Sequence, residues 1–333
     1  MNQGEKAMIF KCVNCGGNVI YSPEKAGMYC PYCDSEESGE KAQGAGFTCI
    51  SCGAPLEVEE FTSACKCKYC GSYSILEERV QGEFTPHLVL PFKVGKKQAK
   101  EKIVEQFKKK RFIPSDFLSD AKMEKMEGNY VPFFMYDYDC KYHFEGVGKK
   151  VRVWRSGNTE YTETSLFKVE RNMDVDFAGI PVDASKGMQD DMMDLLEPYD
   201  YHALEQFQDK YLSGFLAERF NMGSEELSER ARNKAKKDAE SMIKSTLTSY
   251  QSVKTERDEA NLSLRNTMYS LLPVWSYLYE YGGKKYEFHL NGQTGKLVGE
   301  PPISTKKVVA YSATTFLGVF AILNFVRMIL EVI

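Results

Sequence analysis

Hydrophobic and polar residues alternate along much of the middle of the chain, which is the pattern of strands whose two faces meet different surroundings. Residues 130–144 are aromatic and partly alternating, and Asn291-Gly292 with Thr294-Gly295 predicts a tight turn near the end of the pattern. The strands predicted in this way cover residues 130–144, 151–154, 161–169, 271–281, 285–290 and 296–298.

Apolar residues recur at helical spacing in other segments. Ala99, Ile103 and Phe107 form one stripe of a predicted helix over residues 93–111, whose outer face would be basic. Three more helices are predicted: one around Asp190, Asp191 and Asp194 before Pro198, one marked by Leu204, Phe207, Tyr211 and Phe215, and one that starts at Ser224, whose hydroxyl can cap it. Residues 85–303 are therefore predicted to form a mixed α+β body.

An uncharged run near the C-terminus has the length of a membrane helix. Residues 308–326 are nineteen residues without a charge, and such a helix is about 28 Å long, close to the roughly 30 Å hydrocarbon core. Lys306 and Lys307 precede the run, which predicts a cytoplasmic flank. We predict an anchor over residues 308–333. A soluble packing helix is the alternative, but it should show a polar face, which this run almost lacks.

The far end of the predicted anchor is polar. Arg327 could snorkel to the outer interface beside Glu331. Alternatively, Asn324 and Arg327 face a partner helix within the membrane, which would imply a heteromeric complex.

A weak internal repeat links the two groups of strands. Residues 131–134 (VPFF) recur, offset by 141 positions, as residues 272–275 (LPVW), and a Gly-Lys-Lys hairpin is expected after each run, at Gly148 and Gly283. Two related sheet halves joined by a helical insertion would produce this pattern. Coincidence between two aromatic strands is the alternative.

Composition narrows the class of protein. The chain has 333 residues, 43 basic and 47 acidic, a net charge of −4 and a mean hydropathy of −0.42. This excludes a many-pass membrane protein and a histone-like basic protein. The ten cysteines are too few for a disulfide scaffold in a chain of this length, so their spacing must indicate their role.

Eight of the ten cysteines form Cys-x-x-Cys pairs at one repeated spacing. The same fourteen-residue gap separates the pairs of each set, and adding 37 to each cysteine of the first set gives a cysteine of the second. Two such turns brought together form a tetrahedral thiolate site, typical of structural zinc, and about thirty residues need the metal to stay folded. We predict two Zn²⁺ ions in two zinc ribbons, residues 8–35 and 46–73. The ligands are Cys12, Cys15, Cys30 and Cys33 in the first ribbon and Cys49, Cys52, Cys67 and Cys70 in the second.

Disulfides or a redox motif are the alternative for these pairs. The first eleven residues lack the apolar run of a secretory signal, which predicts reduced cytosolic thiols, and no strand–helix context suggests a redox fold. Cys65 aligns with Met28 of the first repeat and is predicted to be a bystander. Cys140 is predicted to be a core thiol.

Charge favours protein over nucleic acid as the partner of the ribbons. Residues 1–80 hold seven basic and eleven acidic residues, the wrong sign for binding phosphates. Residues 93–111 hold nine basic and two acidic residues, and this face could contact an anionic membrane surface or nucleic acid, or simply be solvated. The candidate anionic-surface residues are Lys96, Lys97, Lys100, Lys108, Lys109, Lys110 and Arg111.

Motifs of known enzyme classes are absent from the sequence. It contains no phosphate loop, no Gly-x-Ser-x-Gly elbow, no His-Glu-x-x-His helix and no protein-kinase motif set. The four histidines, His87, His143, His202 and His289, are scattered and suggest no shared site. We predict that the chain is not an enzyme.

Several motifs in order resemble one bacterial family. They are the twin ribbons at 10–33 and 49–71, Leu90-Pro91-Phe92, Tyr130-Val131-Pro132-Phe133, Tyr161-Thr162-Glu163-Thr164, Glu197-Pro198-Tyr199-Asp200-Tyr201, Leu272-Pro273-Val274-Trp275 and Asn291-Gly292-Gln293-Thr294-Gly295-Lys296. Over nearly the whole chain they resemble the TFIIB-type zinc-ribbon proteins of Gram-positive bacteria. Members are often labelled PriA-type replication-restart helicases or phage replication proteins. Some relatives are linked to phage-shock membrane-stress systems, which implies an anchored adaptor. One departure is Asp34, where the other three turns have Gly.

The sequence as a whole predicts an α+β protein with three parts: two N-terminal zinc ribbons, a mixed body with a possible internal repeat, and one C-terminal transmembrane helix. The predicted function is a membrane-anchored scaffold or adaptor that displays the ribbons in the cytoplasm to protein partners, with a membrane complex formed through the C-terminal helix. The alternative is a nucleic-acid-binding protein of replication or transcription that uses residues 93–111.

Overall fold

One twelve-stranded sheet contains most of the strands of the chain, for which the computed structural model describes residues 6–332. The strands are β1 (Lys6–Lys11), β2 (Ile20–Ser22), β3 (Gly27–Tyr29), β4 (Glu40–Ala45), β5 (Thr62–Lys66), β6 (Tyr73–Leu76), β7 (Leu88–Val89), β8 (Glu127–Ser156), β9 (Thr159–Asp183), β10 (Glu205–Gln206), β11 (Leu216–Glu218), β12 (Ser252–Tyr281), β13 (Lys284–Asn291) and β14 (Leu297–Val298). The helices are α1 (Lys96–Phe107), α2 (Asp120–Met123), α3 (Asp190–Leu196), α4 (Ser224–Ser245) and α5 (Thr305–Val332).

The sheet runs in the order β10-β7-β12-β8-β11-β5-β6-β1-β4, with β9 on β8, β13 on β12 and β14 on β13. Its centre is the long antiparallel pair β8–β12, and β9 returns along the other edge of β8. The predicted strands 130–144, 151–154 and 161–169 are confirmed as parts of β8 and β9. Residues 252–270 extend β12 beyond what the sequence pattern indicated.

Helix α4 covers part of this sheet with a row of small and apolar residues. Its buried positions are Leu227, Ala231, Ala235, Ala239 and Ile243, one on each turn of the helix. Three alanines in that row let the helix approach the sheet closely. The hydroxyl of Tyr136 on β8 donates a hydrogen bond to the Ser224 carbonyl at 2.6 Å. This fixes the start of the helix against the sheet.

Two predictions about helices are corrected. The segment marked by Leu204, Phe207, Tyr211 and Phe215 is not an α-helix: it contains strand β10 and one short 3₁₀ turn (Asp209–Leu212), and strand β11 follows it. Gly214, with a φ of +96°, breaks any helix there, and the strands pair with β7 and β8 instead. Ser224 is the first residue of α4 rather than its cap, since Gly223 holds the cap position without a side-chain bond.

The two copies of the predicted repeat lie side by side on neighbouring strands of the sheet. In the β8–β12 register Val131 lies opposite Leu272, its counterpart at the offset of 141. The hairpin expected at Gly148 is wrong, because Gly148 lies inside β8, where the Tyr250 ring leaves no room for a Cβ. The turn of that hairpin lies at Gly157, whereas Gly283 does lie in a turn, with a φ of +76°. A common origin of the two halves stays a prediction.

The ribbon strands are joined to the body by backbone hydrogen bonds. Strand β5 pairs with β11, and β6 pairs with β1, so the sheet crosses from the body through the second ribbon into the first. Ser213 of the body accepts a backbone bond from Tyr21 at 2.8 Å and donates its hydroxyl to the Val19 carbonyl at 2.6 Å. The ribbons are therefore positioned by the body rather than tethered to it.

Helix α5 stands apart from this packing. Between Thr305 and Leu330 its mean hydropathy is 1.8, and none of its most apolar window is buried. It is long and apolar enough to cross a membrane. The side chain of Glu331 and the whole of residue 333 lie outside the part of the chain that the structure describes. The predicted Arg327–Glu331 pair therefore stays a prediction.

Candidate metal centres

Four turns of the same shape place the eight paired cysteines. In each turn the backbone N–H four residues after the first cysteine bonds to that cysteine's carbonyl, from Gly16, Asp34, Gly53 and Gly71, at 2.8–3.0 Å. These four residues have φ values between +61° and +75°. The left-handed conformation turns the chain back so that both thiols of a pair point to one side.

Asp34 adopts this conformation although it has a side chain. Its φ is +61°, and the hydroxyl of Tyr29 donates a hydrogen bond to its carboxylate. Asp is among the residues that enter the left-handed region at modest cost. The departure from Gly therefore leaves the turn unchanged.

The four thiols of each ribbon converge on one point. In the first ribbon Sγ of Cys12 lies 3.6 Å from that of Cys33, and Sγ of Cys15 lies 3.5 Å from that of Cys30. All four sulfurs lie within 4.8 Å of one another. A metal with four thiolates at about 2.3 Å in a tetrahedron separates its sulfurs by about 3.8 Å. The first cluster therefore has the dimensions of a tetrathiolate metal centre.

The second ribbon repeats this geometry. The sulfur of Cys49 lies 3.6 Å from that of Cys70, and the sulfur of Cys52 lies 3.7 Å from that of Cys67. In each cluster two cysteines are buried and two are exposed, in the same order along the chain. Both predicted ligand sets are thus assembled, and each can hold a metal ion with no position left for a substrate.

A serine next to each cluster favours the charged form of a thiol that it contacts. The hydroxyl of Ser35 lies 3.2 Å from Cys12 Sγ and lowers the pKa of that thiol to about 6. Ser72, 37 residues later, lies 3.0 Å from Cys70 Sγ and lowers the pKa of Cys70 to about 6. The thiolate is the form that binds metal, so these hydroxyls prepare the sites for a cation.

The two unpaired cysteines belong to neither cluster. Cys65 is buried among side chains of the second ribbon, where burial raises the pKa of its thiol to about 11. Cys140 is buried beneath α4, and burial also raises the pKa of its thiol. Neither thiol belongs to a four-cysteine cluster, and Cys140 is buried in the core, as predicted.

The predicted basic segment separates into two parts. Its helix is confirmed as α1, with Ala99, Ile103 and Phe107 buried, but it ends at Phe107 instead of Arg111. Within α1, Lys96 and Lys100 both contact Glu124, and Lys97 is exposed. Lys108, Lys109, Lys110 and Arg111 follow the helix in an exposed turn. Two of the seven residues are thus engaged by Glu124, and the other five are exposed.

Sequence reasoning missed a partly buried ion cluster that joins α3, α4 and β9. Arg230 of α4 lies 2.8 Å from Asp183 of β9 and 2.9 Å from Asp194 of α3, and Lys234 also contacts Asp194. Asp183 is fully buried, and burial raises the pKa of its carboxyl to about 6. The Asp190–Asp194 pattern was visible, but its basic partners lie forty residues further along the chain. These acids serve an ion-pair network.

Two of the late motifs form one structural unit. Gln293 accepts a bond from the Asp200 N–H at 2.7 Å and donates one to the Asp200 carbonyl at 3.1 Å. Asn291 donates to the Leu196 carbonyl at 3.0 Å. The turn after β13 therefore holds the segment after α3, which gives both motifs a role in folding.

Comparison with known proteins finds one long relative. The uncharacterized protein YdjG of Bacillus subtilis (strain 168) is 37% identical over 333 residues, a match that covers 96% of this chain and 98% of YdjG. No family model and no solved structure matches the chain. At this identity and coverage the chain belongs to the same family as YdjG.

Proposed function

We propose that this member of the YdjG family is a membrane-anchored, zinc-binding scaffold or adaptor. Two structural zinc ribbons would be displayed in the cytoplasm to protein partners, and helix α5 would hold the protein in the membrane. The resemblance to TFIIB-type zinc-ribbon proteins with membrane-stress relatives is consistent with this role. The observation that carries the proposal is the pair of tetrathiolate clusters on a body followed by an apolar helix of membrane length, whose most apolar window contains no buried residue.

Zinc is the ion we assign to the clusters. Four cysteines and no open position are typical of structural zinc, and two serine hydroxyls favour thiolates next to them. Bound zinc would hold the four turns together. It would activate no substrate, and we assign the chain no reaction.

Membrane attachment is proposed from α5. Large apolar side chains are exposed all around this helix, including Phe316, Leu317, Phe320 and Leu323, each more than half exposed. A soluble protein rarely leaves so long an apolar surface in water, whereas a bilayer covers it. Lys306 and Lys307 at its start favour a body on the cytoplasmic side under the positive-inside rule.

The face of the two ribbons is suited to a protein partner. Tyr32 and Tyr69, at equivalent positions of the two ribbons, are 72% and 74% exposed. A groove of about 270 Å³ lies between the ribbons, lined by Tyr32 and Pro31 of the first and Gly71 of the second. Tyr32 lies beside this groove, Tyr69 lies outside its lining, and exposed tyrosines are typical anchors of protein interfaces.

Several basic residues of the ribbon region form ion pairs with acidic residues of the same chain. Lys41 pairs with Asp209 at 2.6 Å and Lys66 with Glu127 at 2.7 Å. Lys25 and Lys68 pair with acidic residues of their own ribbons. These pairs reduce the charge available to phosphates, which favours protein over nucleic acid at the ribbons.

Nucleic-acid binding is the second candidate function. It is favoured by the exposed turn after α1, where Lys108, Lys109 and Arg111 have no acidic partner among residues 6–330. The evidence for this function would be salt-sensitive binding of duplex or single-stranded DNA that disappears when these residues are replaced by Ala.

The experiment is affinity capture by the full chain in detergent. Wild type is compared with the Tyr32→Ala/Tyr69→Ala variant, and Tyr161→Ala is the control because Tyr161 is an exposed tyrosine far along the β8–β9 hairpin. We expect specific proteins to be retained by wild type and Tyr161→Ala and lost from the double variant. Zinc content measured on all three shows whether the ribbons are intact.

Identical captured proteins from all three chains, with the zinc content unchanged, would contradict display by the ribbon face. DNA as the only ligand retained by wild type would favour the second candidate.

A further inference from the structure

The basic turn after α1 lies at the base of the apolar helix. The Ser304 N–H donates a hydrogen bond to the Phe112 carbonyl at 2.6 Å, and Ser304 is the residue directly before α5. The Phe112 ring packs edge-on against Tyr311 of α5, with ring centroids 5.4 Å apart at 78°. Phe112 directly follows Arg111, so these contacts fix the basic turn beside the first turns of α5.

Two basic stretches distant in sequence therefore meet. Lys108, Lys109 and Arg111 come from the turn after α1, and Lys306 and Lys307 come from α5. No acidic side chain among residues 6–330 pairs with any of the five. We call these five residues the basic collar.

The collar lies at the depth where lipid headgroups would lie. Tyr311 is four residues beyond Lys307, a rise of about 6 Å along the helix, so the Phe112–Tyr311 contact lies just inside the apolar run. Ile303, three residues before Lys306, is a large apolar side chain that is 66% exposed. Aromatic rings at the boundary of an apolar helix are typical of the membrane interface, and basic side chains beside them face the headgroups.

We infer that the basic collar binds the phosphate groups of anionic phospholipids and seats the body against the inner face of the membrane. This inference rests on the proposed membrane attachment through α5. The inference adds to that proposal a lipid class and the residues that would select this lipid. Five cations beside a membrane-length helix complement an anionic surface, and the collar continues directly into the surface that the bilayer would cover.

The collar differs from the basic surface expected from the sequence. Lys96 and Lys100 are excluded because Glu124 contacts both. Lys110 is excluded because its ammonium lies over the Phe107 ring, 5.1 Å from the centroid. Lys306 and Lys307, which sequence reasoning used only for orientation, become part of the site.

The test measures lipid selectivity of the full chain reconstituted in bilayers. Spin-labelled phosphatidylglycerol and spin-labelled phosphatidylcholine are compared by the fraction of each that the protein immobilises. For wild type we expect a preference of at least about threefold for phosphatidylglycerol that weakens at high salt, because each basic residue near an anionic surface strengthens binding about fivefold. The Lys108→Gln/Lys109→Gln/Arg111→Gln variant should lose most of this preference.

The matched control removes the same charge elsewhere. Arg232→Gln/Lys236→Gln/Lys237→Gln changes one arginine and two lysines on the exposed side of α4 and should keep the wild-type preference. A wild-type chain that inserts in bilayers without preferring phosphatidylglycerol would overturn the collar but not the anchor. A chain that does not insert would overturn the anchor itself.

Nucleic acid is the competing ligand for these cations. The same three chains are tested in detergent for binding to a short duplex DNA. If only the collar variant loses DNA binding, and lipid selectivity is the same in all three chains, the collar is a nucleic-acid site. The inference is then wrong.

Discussion

At the scale of single residues, the metal centres depend on thiols in a fixed local geometry. Each Cys-x-x-Cys turn closes on itself through two backbone hydrogen bonds, so a pair needs little from the rest of the fold. The convergence of two pairs, with sulfurs 3.5–3.7 Å apart, creates the site. Loss of one thiol should therefore affect one ribbon and leave the other intact.

We predict that Cys15→Ser lowers the zinc content of the purified chain from two ions to one, and that Cys52→Ser does the same at the second ribbon. A hydroxyl is a far weaker ligand than a thiolate, and three thiolates hold zinc less firmly than four. Metal analysis of dialysed protein measures the content. Cys65→Ser is the control and should retain two ions, because Cys65 lies outside the cluster. Two ions in all three variants would refute the assignment.

At the scale of elements, α4 is attached to the sheet by the packing of its buried row and by ion pairs beside that row. Arg230 and Lys234 lie one turn apart and engage Asp183, Asp194 and Glu197. Asp183 is fully buried at the end of β9, and Arg230 is its charged partner. A buried charge without its partner is costly, so removal of Arg230 should destabilise the fold strongly.

We predict that Arg230→Met lowers the free energy of unfolding by about 3 kcal/mol at pH 8, measured by urea titration in detergent. The loss should be smaller at pH 5. Burial already raises the pKa of Asp183 to about 6, so the folded variant can take up a proton there and remove the unpaired charge. Adding Asp183→Asn should recover part of the loss at pH 8.

The control for this prediction is Arg232→Met, since Arg232 is exposed on the same helix and should cost less than about 0.5 kcal/mol. Equal losses for Arg230→Met and Arg232→Met, or a larger loss for Arg230→Met at pH 5 than at pH 8, would contradict this account of the cluster.

At the scale of the whole molecule, one sheet joins ribbons and body, while α5 projects from them with its apolar surface exposed. At its base the helix contacts the body through the Ser304–Phe112 hydrogen bond and the Tyr311–Phe112 ring contact. Removal of the helix after Ser304 should therefore leave the fold of ribbons and body intact.

We predict that the full chain stays with the membrane fraction after alkaline carbonate extraction, and that a chain ending at Ser304 is released as folded protein with two zinc ions. A full-length Leu317→Lys/Phe320→Lys variant keeps the helix length but should be extracted, because each Lys near the centre of a bilayer costs about 3 kcal/mol. A full chain that is soluble without detergent would show that α5 is not an anchor.

The sequence by itself determined the features that depend on neighbours along the chain. Cysteine spacing predicted both ligand sets, alternation predicted β8, β9 and β13, and the uncharged run predicted α5, because turns, strands and apolar helices leave a local pattern. The identity of the metal, the attachment to a membrane and the identity of the partners are predictions, and the experiments above test them.

Only the tertiary structure decided which distant segments meet. It paired β5 with β11 and thereby joined the ribbons to the body, and it brought Arg230 to Asp183. It also replaced the helix predicted near Tyr211 by a 3₁₀ turn between two short strands. It also placed Arg111 beside Lys306 through the Ser304–Phe112 bond. Such contacts depend on where whole elements pack in space, and the periodicity of any single segment carries no record of them.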